Sequence, residues 1–148
     1  NELVLNQAID NFEISSIKES LDVKNFDISF VKGLSLEDGC ATLTKFTAYL
    51  ISEGLKKIDK LNNIQTKNFI LCGGGRKNKA LKTDISQFLN NKELIMKDID
   101  EFKIDGDFIE SQAFGYLAIR SLLNLPISFP NTTRCNEPSS GGTMIKNF

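Results

Sequence analysis

One short stretch constrains the fold more than any other part of the sequence: an apolar run over residues 68–72 that leads directly into the glycines Gly73, Gly74 and Gly75. The run has the length and the apolar character of a buried strand. A helical pattern follows over residues 79–89, with its apolar side chains on one face. A strand that ends in a glycine turn and continues into a helix is typical of α/β proteins.

The same order is repeated further along the chain. Residues 93–97 predict a second strand, and residues 107–123 predict a second strong helix. The apolar residues that we expect to face inward from that helix are Ile109, Ala113, Phe114, Leu117 and Leu122. Strand, helix, strand and helix in this order predict a short parallel sheet with crossover helices, and therefore the α/β class.

The region before the first strand is divided in two. Residues 1–34 predict an irregular lead-in with short helical pieces, and residues 35–58 predict a clear helix. Ser35 is placed to cap this helix, because its hydroxyl can accept a hydrogen bond from the first turn. We therefore expect residues 35–148 to contain a helix–strand–helix–strand–helix core followed by an irregular tail.

Composition and charge exclude several classes of function. The chain has 148 residues, of which 41% are hydrophobic and 25% are charged, and this fits one globular domain or part of a larger one. A formal net charge of −1 predicts no binding to nucleic acid or to an anionic membrane. No segment has the ~18 apolar residues of a membrane span. Three widely spaced cysteines without a CxxC motif favour a reducing cytoplasm.

The sequence contains no histidine. This excludes His-based catalytic triads and His-ligated zinc within the chain, so acid–base chemistry would depend on carboxylates or lysines. Cys72 has no histidine partner, and we expect it to be a small buried residue. We predict no metal site among these residues.

The three glycines allow two interpretations, a nucleotide-binding turn and a purely structural one. Glycine lets a ligand approach the backbone closely, and a helix that begins near Asn78 would direct its positive end toward the same space. A nucleotide would fit there, but three glycines also make a tight strand-to-helix turn. Neither a P-loop nor a GxGxxG motif is present. Arg76 and Lys77 either approach a phosphate or are solvated turn residues.

The stretch from residue 105 to residue 114 also has two readings. Asp107 and Glu110 have the D-x-x-E spacing of a capping box, in which Asp107 would cap the helix and Glu110 would reach back. Alternatively, Glu110 points from the first turn of the helix into the same cleft as the glycines. There it would bind a sugar hydroxyl or amide.

Three segments, LCGGGRKNKAL, DGDFIESQAFGYLAIRSLLNLPISFP and GGTMIKNF, together resemble the C-terminal part of anhydro-N-acetylmuramic acid kinases. Asn78 matches the glycine motif of that family, while Lys77 stands where the family usually has arginine. The second family motif is matched by Gly106, Asp107, Glu110, Ala113, Phe114, Leu117 and Ala118. The resemblance covers residues 16–148.

This resemblance implies a fold and a reaction. The family belongs to the actin, hexokinase and heat-shock-chaperone ATPase superfamily, in which two ribonuclease-H-like domains close on ATP and Mg²⁺. The implied reaction opens the anhydro bond of the cell-wall sugar and transfers the γ-phosphoryl group of ATP to the 6-oxygen. The product, N-acetylmuramic acid 6-phosphate, belongs to peptidoglycan recycling. The chain would be part of the C-terminal domain.

The resemblance also implies which residues bind. Gly73, Gly74, Gly75 and Asn78 would hold the nucleotide, and Glu110 would contact the sugar. The family's phosphate loop and the segment with its catalytic Asp are absent from this sequence. The resemblance therefore implies no catalytic residue in this chain, which would be an inactive fragment with the missing N-terminal region as its partner. A homodimer, a related sugar kinase and a non-catalytic nucleotide- or sugar-binding module stay open.

Overall fold

The computed structural model describes residues 1–12, 26–62, 68–90, 95–143 and 145. The helices and strands of this part are, in chain order, α1 (Glu2–Asn11), α2 (Leu36–Asn62), β1 (Asn68–Leu71), α3 (Lys79–Leu89), β2 (Ile95–Asp98), α4 (Ile109–Leu122) and α5 (Pro130–Thr133). Short 3₁₀ turns lie at Ser29–Val31, Gly74–Lys77 and Ile99–Phe102. Helices that alternate with strands place the protein in the α/β class.

The strands β1 and β2 form a parallel pair, with Phe69 opposite Met96. Parallel neighbours need a crossover connection, and α3 lies in it. The predicted short parallel sheet with a crossover helix is confirmed. The helix predicted over residues 79–89 has the predicted bounds. The strand predicted over residues 68–72 ends one residue early, at Leu71.

The second strand lies slightly later than its prediction. It was expected at residues 93–97 and is observed at Ile95–Asp98. Residues 93 and 94 lie outside the described residues. The strand continues to Asp98 because its last residues still pair with β1, where Leu71 stands opposite Asp98.

The long helix α2 begins where the sequence predicts. The Asp38 N–H donates a hydrogen bond of 3.1 Å to the Ser35 hydroxyl, so Ser35 is the cap of this helix. The helix extends to Asn62 rather than to residue 58. The start of the predicted lead-in is one short helix, α1, which buries Leu5 and Ala8 and agrees with the expected short helical pieces. Residues 13–25 of the predicted lead-in lie outside the described residues.

A small aromatic core joins α1 to α2. Leu5, Ala8 and Phe46 are buried together. The rings of Phe12 and Phe30 meet the Phe46 ring edge to face, with centroid distances of 5.7 Å and 5.2 Å. Such edge-to-face pairs add to the free energy gained by burying apolar area. This core holds the start of α2 in place.

The packing of α2 against α3 positions the glycine turn. Tyr49 of α2 meets Phe88 of α3 edge to face, with ring centroids 5.6 Å apart. Ile85, Ala48 and Ser52 are buried, and the Ser52 hydroxyl donates to the Ala48 carbonyl at 2.7 Å. Since the glycine turn leads directly into α3, this packing fixes where the turn ends.

The helix α4 is less buried than its sequence predicts. It runs from Ile109 to Leu122 rather than over 107–123, and none of its residues is buried. Phe114, which was expected to face inward, is 65% exposed. Ala113 and Leu122 are exposed as well. That expectation is wrong for Ala113, Phe114 and Leu122, whereas Ile109 and Leu117 are half-buried. The reason is that no other described helix or strand packs closely against α4.

Candidate functional site

The glycine turn presents open backbone at the carboxyl end of β1. Gly73 has φ 75° and ψ 178°, a conformation that side chains disfavour and glycine accepts. A Cβ atom added at Gly74 would meet no atom within 4 Å. Within the described residues, the backbone N–H groups of Gly74 and Gly75 find no hydrogen-bond acceptor. Such unpaired N–H groups attract an anionic ligand.

Asn78 lies at the junction between the glycine turn and α3. Its Oδ1 accepts a hydrogen bond of 3.1 Å from the Leu81 N–H, so its side chain is the N-cap of the helix. In the part of the chain that is described, its side-chain nitrogen makes no hydrogen bond. The residue therefore orients the positive end of α3 beside the turn and keeps its side-chain NH2 group, with two donors, for a ligand.

Arg76 is the most constrained residue of the turn, and sequence reasoning missed its role. The sequence predicts a phosphate contact or a solvated turn residue, but only 6% of Arg76 is exposed. Its Nε donates to Asp100 at 2.6 Å, and its Nη2 donates to the same carboxylate at 3.2 Å. Its Nη1 donates to Asp107 at 2.7 Å and to the Gly73 carbonyl at 2.9 Å. These bonds account for the burial of the charge.

The loop from β2 to α4 receives the Arg76 side chain. A Cβ atom at Gly106 would lie 2.5 Å from Arg76 Nε and 2.6 Å from Arg76 Cζ, so only glycine leaves room for the guanidinium. The Gly73 N–H donates to the Gly106 carbonyl at 3.3 Å. The Gly106 N–H donates to Asp100 Oδ1 at 3.3 Å. Main-chain and side-chain bonds together join this loop to the glycine turn.

The carboxylates of this network are held in their charged forms. Hydrogen bonds from Arg76 and then from Lys77 lower the pKa of Asp107 to about 2. The hydrogen bonds from Arg76 lower the pKa of Asp100, with a smaller contribution from the Gly106 N–H. The two aspartates raise the pKa of the Arg76 guanidinium further above its usual value. The network is therefore fully ionised at neutral pH.

The capping-box reading of Asp107 and Glu110 does not match the geometry. The helix α4 begins at Ile109, its N-cap is Phe108, and no side chain caps it. The Asp107 carboxylate instead accepts from Arg76 and, at 2.6 Å, from Lys77 Nζ. Glu110 lies exposed in the first turn of α4. Its carboxylate makes no hydrogen bond or ion pair with any other described residue.

The remaining sequence expectations concern cysteines and metals. Cys72 is exposed rather than buried, because the strand ends before it. The three cysteines are free thiols. Among the described residues, no group of three or more Asp, Glu, Cys or His side chains is arranged to hold a metal ion. In the same part of the chain, no helix is both long enough and apolar enough to cross a membrane.

An apolar groove lies apart from the glycine turn. It has a volume of about 760 Å³ and lies between α4 and the tail. Its lining includes Phe114, Leu117, Ile127 and Gly141, and none of the predicted binding residues. The Ser121 hydroxyl donates to the Gly141 carbonyl, which ties the tail to α4.

The geometry defines an α/β domain in which a glycine turn, open to solvent at the end of a strand, is fixed to the loop before a second helix. Comparison with known proteins then identifies its family. The family model for anhydro-N-acetylmuramic acid kinase matches residues 10–147. The chain belongs to the anhydro-N-acetylmuramic acid kinase family.

Individual relatives agree with this assignment. The anhydro-N-acetylmuramic acid kinase of Pelagibacter ubique is 53% identical over 152 residues, a region that covers 100% of this chain and 40% of the relative. The enzyme of the same name from Zymomonas mobilis subsp. mobilis is 38% identical over 85% of this chain and 33% of its own length. The one from Brucella canis is 34% identical over 87% of this chain and 34% of its own length. The chain thus spans well under half the length of these relatives.

Proposed function

We propose that this chain is the part of an anhydro-N-acetylmuramic acid kinase that contacts the nucleotide and the sugar. The family match over residues 10–147 carries the proposal. In the proposed reaction, a water molecule gives one proton to a base in the rest of the protein and its oxygen bonds to C1 of 1,6-anhydro-N-acetylmuramic acid, while the bond from C1 to O6 breaks. O6 takes the γ-phosphoryl group of ATP, and ADP leaves. The product is N-acetylmuramic acid 6-phosphate.

The glycine turn is the proposed nucleotide contact. Gly73, Gly74, Gly75 and Asn78 form the turn, and the unpaired N–H groups of Gly74 and Gly75 suit phosphate oxygens or a ribose. The positive end of α3 adds a favourable field for negative charge. Arg76 is not part of this contact, because its donors are directed to Asp100, Asp107 and the Gly73 carbonyl.

Glu110 is the proposed sugar contact. It is exposed at the start of α4, three residues after Asp107, which is itself bound to the glycine turn through Arg76. An ionised carboxylate accepts hydrogen bonds from sugar hydroxyls and from the amide N–H of an N-acetyl group. If the proposal holds, Glu110→Gln in the complete enzyme weakens sugar binding, while the melting temperature changes little because the carboxylate caps nothing.

The chemistry itself is proposed to lie in the rest of the protein. Phosphoryl transfer depends on positioning and on neutralising the charge of the phosphates. The described residues provide no ligand set for Mg²⁺, so we derive no step through the metal from this chain. The proposed partner is the remaining N-terminal region of the same protein, and the proposed location is the cytoplasm. Residues 1–148 alone are proposed to be inactive.

The test compares the complete protein with residues 1–148 and follows the reaction by phosphorus NMR. With ATP, Mg²⁺ and 1,6-anhydro-N-acetylmuramic acid, we expect a 6-phosphate signal from the complete protein and none from residues 1–148. A folded complete protein that forms no product would contradict the kinase proposal. In that case, binding of nucleotide or sugar without turnover would favour a binding module, and turnover of another anhydro sugar would favour a related kinase.

A further inference from the structure

The positively charged guanidinium of Arg76 is almost completely buried, and its hydrogen-bond partners compensate for the loss of water around the charge. A buried guanidinium is tolerated only when its N–H groups are hydrogen-bonded. In Arg76, all three guanidinium nitrogens donate to protein oxygens. Nε and Nη2 grip the Asp100 carboxylate, while Nη1 is shared between Asp107 and the Gly73 carbonyl. The residue is therefore occupied by the protein and does not serve as an anion site.

The partners of Arg76 lie on the other loop, 24 and 31 residues further along the chain. Asp100 lies just after β2, and Asp107 lies just before α4. The guanidinium thus contacts the loop near both of its ends. Gly106 leaves the space that the guanidinium fills, and its carbonyl accepts from the Gly73 N–H. The glycine turn and the loop form one interlocked unit.

The interlocked unit lies between the proposed nucleotide contact and the proposed sugar contact. On one side are Gly74 and Gly75, whose N–H groups face the proposed nucleotide. On the other side is Glu110, whose helix begins at Ile109, two residues after Asp107. We infer that Arg76 is a positioning residue that couples the nucleotide contact to the sugar contact. The inference rests on the proposed function and extends it by assigning the link between its two ligands.

The chemistry of arginine makes this inference specific. A planar guanidinium holds two carboxylates and a carbonyl at fixed angles, whereas a lysine ammonium is a compact charge without a fork. Arg76→Lys therefore keeps the charge and loses most of the geometry. Binding of one ligand restricts the turn and the loop together, so the second ligand meets a site that is already ordered. Such coupling is reciprocal between the two ligands.

The experiment measures ligand affinity in the complete protein by calorimetry. The probes are 1,6-anhydro-N-acetylmuramic acid and a non-hydrolysable ATP analogue with Mg²⁺. In the unmodified protein, we expect saturation with the nucleotide analogue to raise sugar affinity by about fivefold or more. In Arg76→Met and in Arg76→Lys, we expect the ratio of the two sugar affinities to fall toward one.

Two further variants separate coupling from general stability. Lys82→Met removes an ion pair of 2.9 Å with Asp98 at the end of β2. It leaves in place the backbone hydrogen bond from the Lys82 N–H to the Asn78 carbonyl, and the ion pair includes no side chain of the Arg76 network. We expect it to keep the full affinity ratio. Asp107→Asn weakens one of the two carboxylate contacts, and we expect a ratio between those of the unmodified protein and Arg76→Met. This milder variant carries the test if Arg76→Met does not fold.

The outcomes are distinct. An affinity ratio that falls in the Arg76 and Asp107 variants and stays unchanged in Lys82→Met supports the inference. An unmodified protein that binds both ligands without coupling would overturn it, and so would folded Arg76 variants with an unchanged ratio. An unmodified protein that binds neither ligand would overturn the proposed function, and the coupling inference with it.

Discussion

At the scale of single residues, Gly106 is important because its missing side chain leaves room for the Arg76 guanidinium. A methyl group there would lie 2.5 Å from Arg76 Nε and 2.9 Å from Ile99 Cγ2. The guanidinium cannot move aside without breaking its bonds to two carboxylates. We expect Gly106→Ala to lower the free energy of unfolding by about 1–3 kcal/mol, as overpacked sites do.

The matched control for Gly106→Ala is Gly115→Ala. Gly115 lies within α4, and an added Cβ atom would meet nothing within 4 Å. Since glycine inside a helix costs roughly 0.5–1 kcal/mol relative to alanine, this substitution is expected to be neutral or stabilising. Urea denaturation of the complete protein measures both. Equal stability of the two variants would contradict the steric role of Gly106.

Gly74 is the residue at which nucleotide binding is best separated from folding. Its backbone lies outside the left-handed region, and an added Cβ atom would enter open space. We expect Gly74→Val to keep the melting temperature of the complete protein within a few degrees and to abolish nucleotide binding. The reason is that the branched side chain would cover the backbone that a phosphate or ribose must approach. Unchanged affinity for ATP in the folded variant would contradict the assignment of this turn.

Asp107 gives the network a predictable dependence on pH. Its pKa of about 2 in the folded protein lies below the ordinary aspartate value. The ionised group therefore stabilises the fold above the unfolded-state pKa of about 3.9, and this contribution is lost as pH falls through the folded pKa. We expect the difference in unfolding free energy between the unmodified protein and Asp107→Asn to be largest at neutral pH. Below about pH 4, this difference should decrease progressively.

The measurement is the urea midpoint of the complete protein across that range of pH. The control is Asp84→Asn on α3, a residue outside the Arg76 network. For the control, we expect a smaller stability difference at neutral pH, because the Arg76 side chain donates to Asp100, Asp107 and the Gly73 carbonyl and not to Asp84. A stability difference for Asp107→Asn that stays constant down to about pH 2 would show that its carboxylate is not held as described.

At the scale of helices and strands, the sequence predicts what depends on local pattern. The bounds of α3 follow from its apolar spacing and from Asn78 as its cap, and the Ser35 cap marks the start of α2 in the same way. The order strand, glycine turn, helix, strand also predicts the parallel pair. The helix bounds could be predicted because residues close in sequence decide them. The parallel pair could be predicted because a helix joins the two strands, as parallel neighbours require.

What the sequence could not predict depends on distant contacts. The spacing of Asp107 and Glu110 predicts a capping box equally well. The donors of Arg76 and Lys77, 31 and 30 residues upstream, direct the Asp107 carboxylate elsewhere. Arg76 has no local signal of burial, since arginine in a glycine turn is ordinarily solvated. The prediction that α4 buries Phe114 was wrong for the same reason. Whether a helix face is buried depends on which other elements pack against it, and the helix sequence alone does not give this.

At the scale of the whole molecule, the surface of α4 is the feature that most needs explanation. One face borders the groove at Phe114 and Leu117, and the other exposes Tyr116 and Ile119, with Leu123 exposed just after the helix ends. A helix that is apolar on all sides is ordinarily buried. The chain covers 40% of its Pelagibacter ubique relative. We therefore expect the remaining polypeptide of a protein of that length to cover α4.

This expectation can be tested by substituting a residue of α4 whose side chain is exposed in the described part of the chain. Ile119 is 58% exposed here. If the rest of the protein buries it, Ile119→Ser removes that apolar contact and lowers the free energy of unfolding of the complete protein by about 1–3 kcal/mol. The control is Leu3→Ser on α1, which is 79% exposed and expected to change stability by about 0.5 kcal/mol or less. Differential scanning calorimetry compares the two variants. Equal, small effects of both substitutions would mean that α4 stays open to solvent in the complete protein, and its apolar surface would then need another partner.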